Sequence, residues 1–338
     1  MIAGPVLAIE TSCDETAAAV VEGRDVRSSV VASQADLHAP YGGVVPEVAA
    51  RHHLGTVNAV LDEALDRAGV AAGDLVAVAV TQRPGLIGAL LVGLSTARAF
   101  AYARRLPMAM VDHLHGHIAA AWLNPVALDP PFVSLVASGG HTRLDLVRDL
   151  AAPQLVGQTI DDAAGEALDK GARLLGLGYP GGPALERLAA AGDRAAHRFP
   201  IALAGKGVRD FSFAGVKTSL MYAVREAGDL DDAARADLAA SYQEAIMTPL
   251  AERLVAAARQ HGVPAVTVGG GVAANGRLRE MVTAKAEAAQ VIAPDVIDPY
   301  AGGYPVPPLP GQTLREPQGH GIPAVEASML TAKEDVRG

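Results

Sequence analysis

Two histidines four residues apart are the clearest candidates for chemistry in this sequence. His113 and His117 belong to the segment HLHGH, and on a helix this spacing places both imidazoles on one face. Imidazole nitrogens bind transition metals, so the pair could hold one metal ion. A histidine-rich loop or helix N-terminus without a ligand is the alternative. A metallopeptidase is disfavoured, because no glutamate follows His113 as the HExxH motif requires.

A second group of polar side chains lies near the N-terminus, in the turn ETSCDET. Glu10, Ser12 and Asp14 could order a metal-linked phosphate or the acyl end of a substrate. Alternatively, Asp14 and the hydroxyls only satisfy the amides of the turn. Cys13 is the only cysteine and has no base beside it in sequence, which favours a small turn residue over a nucleophile.

Two glycine-rich turns could accept an anion through their backbone amides. SGGHT, residues 138–142, follows an apolar run, although such turns also occur in plain hairpins. GGGVAAN, residues 269–275, is more specific, because three glycines let a ligand approach the backbone next to a helix N-terminus. The carboxylate-rich stretch DDAAGEALDK, residues 161–170, is either a surface face with ion pairs or, together with the glycine pair at 181–182, one side of a pocket.

The sequence repeats the element that would position these residues. The segments 7–21 and 132–147 each contain an apolar β-prone run, a tight polar turn and a second such run. Two hairpins of this kind predict duplicated lobes with a cleft between them, and amide-rich hairpin tips suit a phosphate. Strands and helices alternate elsewhere, which predicts α/β lobes. Further strands are expected at 75–81, 108–112 and 263–268, helices at 56–68, 85–102, 161–176 and 230–261, and loops at 179–183 and 205–218.

Composition limits the class of protein. The chain has 338 residues, enough for two domains, and its low aromatic content of 4% predicts cores of Ala, Val and Leu. A net charge of −9 argues against a free-standing nucleic-acid binder, which is usually basic. A single cysteine excludes an intramolecular disulfide. Without a signal-like N-terminus or a long uninterrupted apolar segment, we expect a cytoplasmic protein without a membrane partner.

The end of the chain differs in composition from the rest. Residues 294–323 contain eight prolines and five glycines, 13 of 30, which is typical of irregular or disordered segments. We therefore expect an N-terminal lobe at 1–130, a C-terminal lobe at 131–292 and an irregular tail at 293–338.

The motifs taken together resemble one family. IETSCDET, HAPYGGVVPE, RPGLIGALLVG, HxxxH, SGGHT, DDAAGEALDK, YPGGP, DFSFAGVKT and GGGVAAN follow one another between Val6 and Ala289 in the order seen in the TsaD family, the tRNA N6-adenosine threonylcarbamoyltransferases. The resemblance implies the two-lobed ASKHA fold of actin, Hsp70 and sugar kinases, with duplicated RNase H-like lobes and a central nucleotide cleft.

The resemblance also implies a reaction and the residues that serve it. The reaction is transfer of a threonylcarbamoyl group from threonylcarbamoyl-adenylate to N6 of the adenosine beside the tRNA anticodon. His113 and His117 would bind one divalent metal, Fe2+ in most descriptions although Zn2+ is also suited. Asp169, Gly182 and Asn275 would contact the adenylate or an adenine nucleotide. The implied substrate-binding loop consists of Val136, Ala137, Ser138, Gly139 and Gly140.

The tail departs from the family pattern. A CTDNxAM-like segment, whose Asp is the third metal ligand, normally follows the GGVxAN helix. Here Asp298 lies nearest the expected distance, Asp295 is second, and His115 replaces an acidic residue expected between the histidine ligands. A catalytically impaired homologue that acts as an adenine-nucleotide-binding scaffold is therefore the alternative to the enzyme.

The resemblance also implies partners, and one further class of protein is an alternative to the transferase. The resemblance implies tRNA, a catalytically inactive paralogue and a small ATPase as partners. A small-molecule kinase of the same superfold is a further alternative, but HxxxH and DFSFAGVKT argue against it.

Overall fold

The computed structural model describes residues 3–123, 128–205 and 207–293. They form two compact units, one that ends at Leu128 and one that begins at Asp129. The division at 1–130, 131–292 and 293–338 stays a prediction, and its third part lies outside the described residues except for Ala293. Within the described ranges, no helix combines the length and apolarity needed to cross a membrane.

The first unit is built on a five-stranded sheet. Its strands are β1 (Val6–Glu10), β2 (Glu15–Glu22), β3 (Asp25–Ser33), β4 (Ala77–Arg83) and β5 (Met108–Asp112). Its helices are α1 (Ala35–His38), α2 (Pro46–Ala68), α3 (Ile87–Arg104) and α4 (His113–Ala119), with 3-10 turns at Ala39–Tyr41 and Ala120–Trp122. The strand order is β3-β2-β1-β4-β5. β1 pairs antiparallel with β2 and parallel with β4, so β1 lies at the centre.

The second unit repeats this order with one strand fewer. Its strands are β6 (Phe132–Ala137), β7 (Thr142–Val147), β8 (Gln154–Gln158) and β9 (Val266–Gly269). Its helices are α5 (Ala164–Leu174), α6 (Gly181–Ala189), α7 (Ala214–Ala227), α8 (Asp232–His261) and α9 (Gly276–Ala289), with a 3-10 turn at Gly271–Ala274. The order β8-β7-β6-β9 matches β3-β2-β1-β4, which confirms both hairpins and the duplicated α/β lobes.

The long helices begin and end at local signals. Pro46 occupies the first turn of α2, and Gly69 ends that helix with a φ of +63° that glycine adopts without strain. The side chain of Asp231 accepts the Ala234 amide at 2.8 Å and so caps α8. These capping signals made both helices predictable. Helix α2 nevertheless begins at Pro46, ten residues before the expected Thr56.

Two expected loops contain helix starts. Helix α7 begins at Ala214, inside the loop predicted at 205–218, because Asp161 accepts the amides of Phe213 at 2.7 Å and Ala214 at 3.3 Å. The turn predicted at 179–183 likewise begins α6 at Gly181. Both loop predictions were wrong at these positions, because a carboxylate distant in sequence caps each helix. It is Asp161 for α7 and Asp169 for α6.

The sheet of the first unit packs α3 closely against the end of β1. The buried face of α3 consists largely of small residues, Ala89, Gly93 and Ala97 among them. The hydroxyl of Thr11, directly after β1, donates to the Ala89 carbonyl at 2.8 Å. A Cβ at Gly93 would overlap that hydroxyl. The small residues therefore bring the helix close enough to fix the first polar turn.

Replacing Gly93 should destabilise the protein, whereas the same change at Gly55 should not. Gly93→Ala forces a methyl group against Thr11, which we expect to cost about 1–3 kcal/mol of unfolding free energy. Gly55 lies on α2 with open space at its Cβ position, so Gly55→Ala should stabilise by about 0.5–1 kcal/mol. Urea denaturation of both variants tests this, and equal effects would contradict the close packing.

Candidate functional site

A buried carboxylate lies at the end of the central strand of the first unit. Glu10 is the last residue of β1 and is only 4% exposed. Its side chain accepts hydrogen bonds from the Ser12 amide and from the hydroxyl of Thr81, which belongs to the parallel strand β4. Nδ1 of His113 lies 3.2 Å from the same carboxylate. The structure thus brings Glu10, Ser12 and His113 together.

Electrostatics keep this carboxylate ionised. Burial by itself opposes the charge, but attraction to His113 and the hydrogen bonds from His113, Ser12 and Thr81 outweigh it and lower the pKa of Glu10 to about 2. Burial likewise disfavours the charged His113 ring, yet the charge and hydrogen bond of Glu10 raise the pKa of His113. An ionised carboxylate can only accept, so Nδ1 of His113 carries the proton between them.

Helix α4 presents the two histidines. Asp112 ends β5 and caps α4 by accepting the Leu114 amide at 2.9 Å. His113 and His117 lie one turn apart, with ring centroids 4.8 Å apart and ring planes at 77°. In the described ranges, no group of three or more His, Cys, Asp or Glu side chains is arranged to hold a metal. Asp298 and Asp295 lie outside the described residues.

Backbone hydrogen bonds hold the rest of the first polar turn. The Ser12 carbonyl accepts the Leu86 amide at 2.8 Å, where α3 begins, and the Asp14 carbonyl accepts the Gln34 amide at 2.9 Å. Cys13 is exposed at the tip. Desolvation by the turn and the neighbouring Asp14 carboxylate raise the pKa of its thiol, which disfavours the thiolate a nucleophile needs.

The corresponding turn of the second unit exposes glycine backbone. In the turn between β6 and β7, the Ser138 amide donates to the His141 carbonyl at 2.8 Å, and the Ser138 hydroxyl accepts the His141 amide at 3.1 Å. Gly139 and Gly140 are exposed, and a Cβ at either position would meet nothing within 4 Å. A ligand can therefore approach the backbone of this turn directly.

Neighbouring elements hold that turn from two sides. The Gly165 amide, in the first turn of α5, donates to the Ser138 carbonyl at 3.1 Å, and the Ala164 amide donates to the Thr142 hydroxyl at 2.8 Å. Gly270 lies against β6 with a φ of +86°, and a Cβ there would lie 2.5 Å from the Ala137 carbonyl oxygen. The glycine-rich turn at 269–275 thus packs against the end of β6, directly before the turn at 138–142.

Carboxylates occupy the N-termini of two helices in this unit. Asp169 accepts the Gly181 amide at 2.9 Å and the Gly182 amide at 3.0 Å, at the start of α6. Glu186 of α6 accepts the Gly276 amide at 2.7 Å, at the start of α9. On helix α5, Asp169 thus faces the glycine pair, while Glu166 and Lys170 form an ion pair at 2.6 Å. A pocket lined by this helix and the glycine pair stays a prediction.

Asn275 is both a candidate ligand and a structural cap. It is buried, its side-chain oxygen accepts the Leu278 amide at 3.1 Å, and its Nδ2 donates to Gln243 Oε1 at 2.9 Å. These bonds use one of its two N–H groups and one of its two oxygen lone pairs. Replacing Asn275 would consequently affect stability as well as any ligand.

Sequence reasoning missed three residues of these sites. Thr81 and Gln243 contact Glu10 and Asn275, which the sequence did identify, and Glu186 contacts Gly276, the residue after Asn275. Only Thr81 had a local signal, because it lies near the end of a predicted strand and the carboxyl ends of neighbouring parallel strands meet at one edge. The other two lie within helices, where nothing in the pattern distinguishes them from surface residues.

Comparisons with known proteins agree on one family. The family model described as TsaD: tRNA N6-adenosine threonylcarbamoyltransferase matches residues 25–301. A tRNA N6-adenosine threonylcarbamoyltransferase of Anaeromyxobacter dehalogenans (strain 2CP-C) is 55% identical over 282 residues, which cover 83% of this chain and 84% of that protein. The protein of the same name from Cyanothece sp. (strain PCC 7425 / ATCC 29141) is 51% identical over 288 residues and 84% of each chain.

Solved structures share the fold at low sequence identity. Full-length HypF in its phosphate- and nucleotide-bound form has a TM-score of 0.60 and 11% identity, over 97% of this chain and 55% of that one. HypF of T. kodakarensis has a TM-score of 0.57 and 17% identity, over 87% and 45%. This chain spans about half the length of either. These matches confirm the predicted α/β fold class of the ASKHA type.

The ion pair between Glu10 and His113 predicts a bell-shaped difference in stability between wild type and Glu10→Gln. The lowered pKa of Glu10 contributes stability that is present above its ordinary value of 4.5 and is lost as the pH falls toward about 2. The raised pKa of His113 contributes stability that is complete below 6.5 and is lost as the pH rises through its folded-state value.

Urea denaturation of metal-free protein across this pH range measures the difference. We expect it to be largest between about pH 4.5 and 6.5 and to shrink on either side. A difference that does not change with pH would show that the two groups are not coupled.

Proposed function

Because this chain belongs to the TsaD family of tRNA N6-adenosine threonylcarbamoyltransferases, we propose that it transfers the threonylcarbamoyl group from threonylcarbamoyl-adenylate to N6 of the adenosine beside the tRNA anticodon. The chain is a transferase of this family and tRNA is its substrate. The match to relatives over more than four fifths of either chain favours the enzyme over the scaffold alternative, which no comparison supports.

The observation that carries the proposal is the oriented histidine pair. His113 and His117 face one another on α4, and Glu10 accepts the proton of His113 Nδ1. When the ring is neutral, its one proton lies on Nδ1 facing the carboxylate and Nε2 is unprotonated, which is the arrangement of metal-bound histidines in proteins. The residues therefore fit a divalent metal. Imidazole ligands suit both iron and zinc, and we propose Fe2+ with Zn2+ as the alternative.

We propose Asp298, in the tail, as the third metal ligand. The family match runs to residue 301 and so includes Asp298, the carboxylate nearest the distance at which the family pattern has its ligand. When bound, the metal would act as a Lewis acid on the acyl group or its phosphate. Glu10 and Ser12 would hold His113 in position, and Asp14 would support the turn through its carbonyl.

We propose that the adenylate lies along the glycine turns of the second unit. Within residues 136–140, Gly139 and Gly140 are exposed and have open space around them, so their backbone can approach a phosphate. Asp169 and Glu186 already occupy the N-termini of α6 and α9, where their negative charge disfavours a second anion. Carboxylates accept hydrogen bonds from hydroxyl groups, so we place the ribose beside Asp169 and Gly182, with Asn275 close to the nucleoside.

Partner proteins would complete the reaction. The net charge of −9 weakens any direct attraction to the tRNA backbone. We therefore propose that a catalytically inactive paralogue and a small ATPase assist this chain, in the cytoplasm where tRNA is found. The proposed activity is tested by nucleoside mass spectrometry of tRNA from cells in which this chain is the only member of its family. Absence of threonylcarbamoyl-adenosine, with folded protein present, would refute it.

Metal binding has an intrinsic reporter. Trp122 is the only tryptophan and ends the 3-10 turn that follows α4, so Co2+ bound at the histidine pair should quench its fluorescence. We expect saturable quenching by one equivalent, loss of at least about tenfold in affinity for His113→Ala or His117→Ala, and no change for the control His197→Ala in the second unit. Unchanged Co2+ affinity in the double variant would remove both histidines as ligands.

The open glycine turn predicts a loss of binding without a loss of stability. Gly139→Val adds a Cβ that meets nothing in the protein within 4 Å, so the unfolding free energy should change by less than about 0.5 kcal/mol. The added methyl groups should block a phosphate and weaken adenine-nucleotide binding about tenfold or more, as isothermal titration calorimetry would measure. Gly178→Val, also in open space, serves as control. Equal nucleotide affinities would exclude this turn from the site.

A further inference from the structure

The first polar turn is held through three successive backbone carbonyls, those of residues 12–14. The carbonyls of residues 12 and 14 accept backbone amides, those of Leu86 and Gln34. The Cys13 carbonyl between them lies 2.9 Å from Nε2 of His53, which belongs to α2. Of the three groups that bind these carbonyls, only the His53 ring is a side chain. The site described above does not use it.

The contacts of His53 define its protonation. A carbonyl oxygen can only accept, so Nε2 carries a proton and donates it to Cys13. Nδ1 lies 2.8 Å from the hydroxyl of Thr16, near the start of β2, and accepts that hydroxyl in the neutral ring. The ring is fully buried, and burial lowers the pKa of His53, which favours the neutral form. One imidazole therefore connects both sides of the hairpin tip.

A second buried layer fixes the helix that carries His53. The Gln34 side-chain nitrogen lies 3.3 Å from His53 Nδ1, and its oxygen lies 3.2 Å from His38 Nε2. Nδ1 of His38 accepts the amide of Val45, the residue that precedes the first turn of α2, at 3.3 Å. Gln34, His38 and His53 are each at most 1% exposed. A network sealed from solvent in this way supports the position of the ring rather than binding a ligand.

We propose that His53 is a positioning residue for the transferase reaction, which acts through the Cys13 carbonyl to hold the turn that sets Glu10 and Ser12 against His113. The proposal rests on the proposed metal site at His113. It follows from the chain of contacts: His53 fixes Cys13, Cys13 follows Ser12 directly, and both Glu10 and Ser12 contact Nδ1 of His113.

Two amide substitutions separate this role from packing. The side-chain nitrogen of His53→Gln can reach the place of Nε2 and donate to Cys13, whereas the shorter side chain of His53→Asn reaches only the place of Nδ1. Both remove the ring, so both should lower the melting temperature. We expect His53→Asn to lose about tenfold or more in Co2+ affinity and in kcat, with KM for tRNA little changed, and His53→Gln to restore most of both. Equal losses in the two variants would overturn the proposal.

The wild-type protein provides a test that does not depend on the folding of a variant. Nitrogen-15 NMR of the histidine rings should show His53 as the neutral tautomer with its proton on Nε2. A proton on Nδ1 alone would overturn the proposal. If wild type binds no Co2+ at the histidine pair, the metal site fails as a proposal, whereas the ring tautomer and the kcat difference between Gln and Asn still decide the role of His53.

Discussion

The cost of burying one charge at the end of a central strand governs the first unit. Glu10 is nearly inaccessible to water, and an unpaired carboxylate in such a place would be strongly destabilising. Its partners come from three places: the turn that follows it, strand β4 beside it and helix α4 after β5. Because β1, β4 and β5 run parallel, their carboxyl ends meet at one edge. The sheet order is therefore what makes the buried charge tolerable.

The second unit repeats the sheet but places its charges differently. Where β1 ends in Glu10, β6 ends in Ala137, and the turn after it has the exposed Gly139 and Gly140 in place of carboxylates. Its carboxylates lie instead at helix N-termini, on the amides of Gly182 and Gly276. The first unit thus presents imidazoles and a carboxylate. The second presents backbone amides, together with carboxylates that could accept hydrogen bonds from hydroxyl groups. The same sheet order thus supports two polar clusters of different chemical character.

Sequence patterns predicted what depends on neighbouring residues and failed where distant residues decide. The two hairpins, the start of β5 at Met108 and the end of α8 at His261 follow from local periodicity and caps. Strands β3 and β8 were missed, since edge strands mix polar and apolar residues without a clear period. The early start of α7 depends on Asp161, and the anchoring of Cys13 depends on His53, about 40 residues away or more in both cases. Candidate ligands could be recognised by type, but their supporting residues could not.

The three anchored carbonyls restrict how the first turn can vary in evolution. Each anchored group is a backbone carbonyl of the turn, so the exposed side chain at Cys13 can change freely, whereas the number of residues cannot. Glu10 pairs with Ala17 across the hairpin, and one inserted residue would shift this register and turn every following side chain of β2 to the opposite face of the sheet. Related sequences should therefore tolerate substitutions at the tip while keeping its length invariant.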